Sequence, residues 1–190
     1  MTIGIDIDNV LVNTTESVLE YLNERTGLNL KLEDIKTYSI EDYVPKENRL
    51  LVPEAFESKH MWKKVDFIEG ATAVIRNLVN DGHEIYFATA TLPENLKKKM
   101  NHLSRNLEFL GLDYIKSHTI CITNKQLLRF DVMIDDYLGN LCGERTYESI
   151  CLDYPWNQPT DETVNDKHFH RVYNWYEVYV YIRFLLDKEY

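Results

Sequence analysis

Apolar residues along the chain fall into short unbroken runs separated by stretches of helical spacing. Thr2 to Ile7 is a β-branched run that closes on acids, and Leu11, Val18, Leu19 and Leu22 then recur as one helix face. This pattern predicts a strand followed by a helix over 14–25, opened by an Asn13–Glu16 capping pair and stopped by Gly27. Four later runs, His83–Thr89, His118–Thr123, Phe130–Ile134 and Ser149–Leu152, are apolar without alternation, as expected of parallel strands covered on both faces. Helical spacing returns between them at Ala71–Asn80, at Leu92–Leu110 and, more weakly, at Tyr137–Cys142. A last helix opens at an Asn174–Glu177 pair and continues through Val178, Ile182 and Leu186. Strand and helix in alternation predict an α/β fold with a doubly wound, Rossmann-type parallel sheet.

One interval breaks the rhythm. Roughly 75 residues separate the first strand from the second, where a crossover needs only a dozen or more. A small helical subdomain inserted after the first strand accounts for the excess. The expected division is a core of residues 1–12 and 68–190 and an insert of residues 13–67, with a turn around Pro45.

Composition narrows the function. Acidic residues outnumber basic ones by 31 to 21, giving a formal charge of -10, which argues against stable nucleic-acid binding or attachment to anionic lipid through a general positive field. No apolar run approaches the ~20 residues that span a bilayer, and the N-terminus lacks a signal-like segment, so no membrane association and a cytoplasmic location are expected. The three cysteines form no metal-binding or disulfide pattern, and Cys121 and Cys151 sit in apolar runs where buried thiols are the ordinary reading.

Ligands of open α/β sheets bind beyond the carboxyl ends of the strands. Here the first strand closes on Asp6 and Asp8, and the Phe130–Ile134 strand on Asp135 and Asp136. Two carboxylates ~4 Å apart repel by ~4 kcal/mol at an effective dielectric near 20, so such a group calls for a cation or for protonation. Mg²⁺, a hard ion held by one or two carboxylates, waters and a substrate phosphate, fits best. Thr89 ends the second strand with a hydroxyl and, together with Ala90, backbone N–H groups suited to phosphate. Lys125, ten residues before Asp135, adds a positive charge.

In this order the residues resemble the four motifs of the haloacid dehalogenase-like phosphohydrolase superfamily: Asp6-Ile7-Asp8-Asn9-Val10, the strand ending in Thr89, Lys125, and the strand ending in Asp135-Asp136. Within it the chain is most similar to the 5'(3')-deoxyribonucleotidase family. The shared features are the helical cap after the first motif, the short spacing from lysine to the paired acids, and a tail carrying Asp153-Tyr154-Pro155-Trp156-Asn157 and Arg171-Val172-Tyr173-Asn174-Trp175. The resemblance implies a Mg²⁺-dependent phosphomonoesterase acting on (deoxy)ribonucleoside monophosphates through an aspartyl-phosphate. Asp6 would be the nucleophile and Asp8 the general acid and base. Thr89, Ala90 and Lys125 would bind phosphate, and Asp6, Asp8 and Asp135 the metal, with Asp136 a weaker ligand.

The cap would choose the substrate. Of its aromatics Tyr38, Tyr43, Phe56, Trp62 and Phe67, we expect Trp62, Tyr43 and Phe56 to meet the base. A sugar phosphate, another small metabolite or a nucleic-acid 3' phosphate is the alternative substrate, and a non-catalytic binding module the alternative class. Lys97, Lys98 and Lys99 read as the solvated face of a helix, and His168 and His170 as surface residues. The tyrosine-rich last helix packs on the sheet or, in a homodimer, against a second subunit.

Overall fold

The computed structural model of the protein describes residues 1–158 and 169–188. His168 and the remainder of 159–168 and 189–190 lie outside the described residues. Six parallel strands form one sheet: β1 (Thr2–Ile5), β2 (Glu84–Thr89), β3 (Thr119–Cys121), β4 (Val132–Asp135), β5 (Glu148–Leu152) and β6 (Phe169–Val172). Their order is β3-β2-β1-β4-β5-β6. The chain therefore moves one way from β1 and returns to its other side at β4, which opens a crevice at the carboxyl ends of β1 and β4. β6 is the strand the apolar pattern does not announce. Phe169-His170-Arg171-Val172 carries two adjacent polar residues and buries only Val172 fully, as suits an edge strand paired only with β5.

The α-helices among the described residues are α1 (Thr14–Thr26), α2 (Leu51–Glu57), α3 (Met61–Lys64), α4 (Ala71–Asn80), α5 (Pro93–Asn106), α6 (Leu112–Ser117), α7 (Leu138–Leu141) and α8 (Trp175–Lys188). On one sheet face Ile3, Ile5, Ile85, Phe87, Val132 and Ile134 join Ile75, Leu78, Val178 and Ile182 in the main core. On the other, Ala88, Met133, Phe130 and Cys151 pack with Leu141 and Tyr147. Gly4 allows this second layer to close down, because a Cβ there would run into the Phe130 ring. Cys151 is buried as expected. Cys121 is exposed, because β3 is the opposite edge of the sheet and its thiol donates to the Thr91 carbonyl (3.3 Å).

The chain leaves the sheet at Val12 and rejoins it at Phe67, where the two crossings pair: Asn13 N–H donates to Asp66 O (3.0 Å) and Ile68 N–H to Leu11 O (2.8 Å). Between them Val18, Leu22, Ile35, Ile40, Val44 and Val52 gather into a cluster of their own. Met61, Trp62 and Val65 belong instead to the main core.

Both helix-opening pairs can be checked. Asn174 and Glu177 cap α8 reciprocally, through Glu177 N–H to Asn174 Oδ1 (3.0 Å) and Asn174 Nδ2 to Glu177 Oε1 (3.2 Å). Asn13 makes no side-chain cap. Asn9 takes that place by accepting the Thr15 N–H (2.9 Å) from a left-handed backbone, φ 56°. Among the described residues no helix is long and apolar enough to cross a membrane.

Candidate active site

The carboxyl ends of β1 and β4 carry the chemistry. Asp6 follows β1 and is held in line by its N–H bond to Ile134 O (2.9 Å), so the two central strands set its position directly. Its Oδ1 accepts from the Lys125 ammonium, which also donates to Asp135 Oδ2 (2.8 Å). Lys125 is brought there by a 3₁₀ turn, Lys125–Leu127, opened by Asn124, whose side chain accepts the Gln126 N–H. Asp135 is partnered on both oxygens: Oδ1 accepts the Tyr137 N–H (2.9 Å) and Oδ2 accepts from Asn140 Nδ2 (3.0 Å). Asp136 differs. Its Oδ2 accepts from Trp156 Nε1 (3.0 Å) and Asn9 Nδ2 (3.3 Å), while Oδ1 is buried with no partner.

Asp6, Asp135 and Asp136 each present a carboxylate oxygen within 4.8 Å of the other two, all buried. Burial pushes the Asp6 carboxyl up to about 7, with Lys125 acting against the rise and Asp135 and Asp8 adding to it. Asp136 stands well above the ordinary carboxylate range, through burial first and then the charges of Asp135 and Asp6. Burial alone would pull the Lys125 ammonium down, but Asp135 and Asp6 outweigh it and hold it above its usual value. Asp8 points elsewhere. Its Oδ1 accepts from Thr14 Oγ1 (2.9 Å) and its Oδ2 from the Lys99 ammonium, which also donates to Thr89 Oγ1 (2.8 Å).

These contacts test whether a hard divalent cation suits the site. Four carboxyl groups, Asp6, Asp8, Asp135 and Asp136, share two buried ammonium groups, Lys125 and Lys99, so full ionisation would leave two negative charges uncompensated without a cation. An all-oxygen donor set, the raised carboxyls and the orphaned Asp136 Oδ1 fit such an ion.

Above this floor opens a cavity of about 450 Å³ lined by Asp8, Ala90 and Lys99 from below and by Tyr38, Phe56 and Trp62 from the inserted segment. Trp62 is fixed by its indole N–H to Phe56 O (2.8 Å). Tyr43 is not brought to the cavity: its hydroxyl accepts the Lys36 N–H (2.7 Å) and its ring packs on the insert's own cluster. Tyr38 reaches the site instead. Its side chain is 55% exposed. Yet its phenol is raised by burial first and then by the charges of Asp136, Asp6, Asp135 and Asp8, and its ring lies 4.3 Å from that of Tyr137, tilted by 35°.

Three further residues complete the site. Trp156 lines the cavity, stacks on Tyr154 at 4.4 Å and holds Asp136. Its loop is tied down by Arg171, which donates to Asp153 Oδ1 (2.7 Å), Asn157 Oδ1 (2.7 Å) and Asn157 O (2.6 Å). Trp175 donates to Val10 O (2.9 Å) and so braces the loop after Asp6. Lys99 corrects the expectation of a solvated lysine run: it is 3% exposed. The signal was present, because Asn95, Lys99, His102 and Leu103 share one face of α5, and that face is buried. Lys97 is exposed, and Lys98 is half-buried with its ammonium on Glu57 O (2.8 Å) and Asn95 Oδ1 (2.7 Å).

A parallel sheet with acids at the ends of its two central strands and an insert after the first matches the fold of haloacid dehalogenase-like hydrolases. Solved members of that class share the fold. A haloacid dehalogenase family hydrolase from Deinococcus radiodurans superposes with a TM-score of 0.58 at 17% identity, covering 93% of this chain and 92% of the other. A conserved haloacid dehalogenase-like protein of unknown function from Agrobacterium tumefaciens gives 0.63 at 11%, covering 97% and 98%.

Residues 1–189 match the family described as 5' nucleotidase, deoxy (pyrimidine), cytosolic type C protein, and the chain belongs to it. It is thereby a phosphate-monoester hydrolase. Similar proteins include the 5'(3')-deoxyribonucleotidase of Bacillus subtilis strain 168, 28% identical over 180 residues, which are 93% of this chain and 95% of that one. A putative 5'(3')-deoxyribonucleotidase of Staphylococcus aureus strain Mu50 is 24% identical over 189 residues, 98% of each chain.

Proposed function

We propose that the protein is a cytoplasmic Mg²⁺-dependent 5'(3')-deoxyribonucleotidase that hydrolyses deoxyribonucleoside monophosphates through an aspartyl-phosphate on Asp6. The observation that carries this reading is an acid cluster around Lys125 joined to an aromatic-walled cavity through Asn9 and Trp156, which line the cavity and hydrogen-bond Asp136. Family membership and relatives named 5'(3')-deoxyribonucleotidase support the substrate class.

In the first displacement a carboxylate oxygen of Asp6 bonds to phosphorus as the bond to the nucleoside oxygen breaks, and Asp8 gives that oxygen its proton. In the second, water attacks phosphorus, Asp8 takes the water's proton, and the Asp6–phosphorus bond breaks to return the carboxylate. Lys125, the Thr89 hydroxyl and the Ala90 backbone bind the phosphoryl oxygens. Mg²⁺ would be held by Asp6, Asp136 and the Asp8 carbonyl. There it would neutralise charge on the transferring group. Asp135, bonded on both oxygens, orients Lys125, and Asp136, with an open Oδ1, is the more direct ligand. Residues 13–67 form the cap, with Trp62, Phe56 and Tyr38 facing the base and sugar.

The test is phosphate release from deoxy- and ribonucleoside monophosphates and sugar phosphates, with Mg²⁺ and with EDTA. Release that needs Mg²⁺ and favours deoxynucleotides supports the reading. Release from sugar phosphates alone removes the nucleotide assignment, and silence from folded, metal-bound protein favours a binding module.

Metal binding has a pH signature. A carboxyl raised from 3.8 to about 7 binds its proton more tightly folded than unfolded, so Asp6 withdraws stability from the metal-free protein as pH rises from about 4 to 7. His102 acts oppositely. Burial, then Arg105, lowers it to about 4, and its stability is lost as pH falls from 6.5. The Mg²⁺-induced gain in Tm cancels the His102 contribution and isolates the acids. It should be at least about 3 °C at pH 8, or roughly 1 kcal/mol for a chain of this size, and smaller at pH 5.5. An equal gain at both pH values contradicts this.

For the cap, Trp62→Leu should raise KM for a deoxynucleotide about tenfold, within the ~1 to 3 kcal/mol range of base stacking on aromatics. KM for glycerol phosphate should be unchanged. Equal effects on both would remove Trp62 from base recognition.

A further inference from the structure

Lys99 lies outside the four motifs, and its placement asks for a reason. A buried ammonium is tolerated only when paired, and an apolar side chain on the same face of α5 would pack at least as well as a buried ion pair does. The ammonium of Lys99 instead joins two groups carried by the neighbouring strands β1 and β2, Asp8 Oδ2 and Thr89 Oγ1 (2.8 Å). Thr14 holds the other Asp8 oxygen at 2.9 Å, so both oxygens are pinned and the carboxylate has one orientation. The side chain also lines the cavity, which places the bridge at the edge of the substrate space. Lys125 stands on the other flank, on Asp6 and Asp135. Each flank of the site therefore carries one buried lysine, and only one of the two belongs to the motif set.

We propose that Lys99 is a positioning residue that locks the Asp8 carboxylate and the Thr89 hydroxyl in register with the phosphoryl site, and that departure of a basic leaving group depends on it. The proposal rests on Asp8 being the proton donor of the first displacement. In that step the Asp6–phosphorus bond forms, the phosphorus–oxygen ester bond breaks, and the Asp8 proton goes to the departing alcohol. A nucleoside alcohol needs that proton. p-Nitrophenolate leaves without it. Mispositioning Asp8 must therefore slow the two esters unequally, whereas loss of phosphate binding or of folding slows both alike.

The experiment uses the full chain with Mg²⁺ and compares wild type with Lys99→Met and Lys99→Gln. It measures steady-state turnover of a deoxyribonucleoside 5'-monophosphate and first-turnover release of p-nitrophenol from p-nitrophenyl phosphate. Turnover of the nucleotide should fall about 10² to 10³-fold, within the range of general acid catalysis, with KM changed less than about threefold. The p-nitrophenol burst should slow less than about tenfold. Equal losses on both esters, a loss confined to KM, or failure of both variants to melt cooperatively would overturn the proposal and leave Lys99 a phosphate-binding or structural cation. Failure of the parent reading looks different: wild type without Mg²⁺-dependent release, or Asp6→Asn turning over normally.

Discussion

Asp6→Asn should abolish turnover, by on the order of 10⁴-fold or more, while the protein still folds. The amide has the carboxylate's shape but cannot open the first displacement, so no aspartyl-phosphate forms. Folding should survive because Asp6 is a burden to the native state as well as a partner in it. Its carboxyl is pushed up to about 7 by burial, and Asp135 and Asp8 oppose its ionisation further. The substitution removes that charge and leaves Asp135 to hold Lys125 at 2.8 Å. Initial rates of phosphate release with a thermal melt of the same preparation check both halves. Near wild-type turnover would exclude Asp6 as nucleophile.

Lys125→Met should reduce kcat about 10² to 10³-fold and also destabilise the protein, a combination that separates it from Asp6→Asn. The catalytic loss follows from removing a fixed donor aimed at the phosphoryl oxygens. The structural loss follows from burial, because Asp6 and Asp135 would then face each other without the ammonium that both contact. Breaking a buried pair by removing one partner takes ~3 to 5 kcal/mol. Asp6 can absorb part of this by keeping its proton, so Tm should fall by about 5 to 10 °C in EDTA. Mg²⁺ should recover more Tm in this variant than in wild type, since it replaces a missing positive charge. Unchanged kinetics would show that Lys125 does not serve the phosphate.

Much of this site could be read from the chain because its main residues follow strands, and buried parallel strands announce themselves as unbroken apolar runs. Asp6, Thr89, Asp135 and Asp136 each stand at the end of such a run, so the pattern that gave the sheet also gave the floor of the site. The tail was legible as a motif but not as a mechanism: only packing shows that Arg171 ties down the loop carrying Trp156, and that Trp175 braces Val10. β6 is hidden because His170 and Arg171 stand side by side at its centre, which leaves neither an apolar run nor an alternation. Lys99 escaped because charge was read from local composition, and three adjacent lysines look solvated until the helix phase is fixed by Asn95 and His102. The preference for Tyr43 over Tyr38, five residues away, had no periodic signal behind it and is reversed by the structure. They sit among short 3₁₀ turns, where no periodicity tells which ring turns toward the cavity and which toward the insert's own cluster.

The central claim is that phosphate passes from a nucleotide to Asp6. The most direct test is acid quenching of wild-type protein within milliseconds of mixing with Mg²⁺ and dUMP labelled in its phosphate, followed by mapping of the labelled peptide. Label should appear on Asp6, stable in acid and released by hydroxylamine, and should be absent when Mg²⁺ is replaced by EDTA. Phosphate release with no label on the protein, or label on another residue, would contradict it.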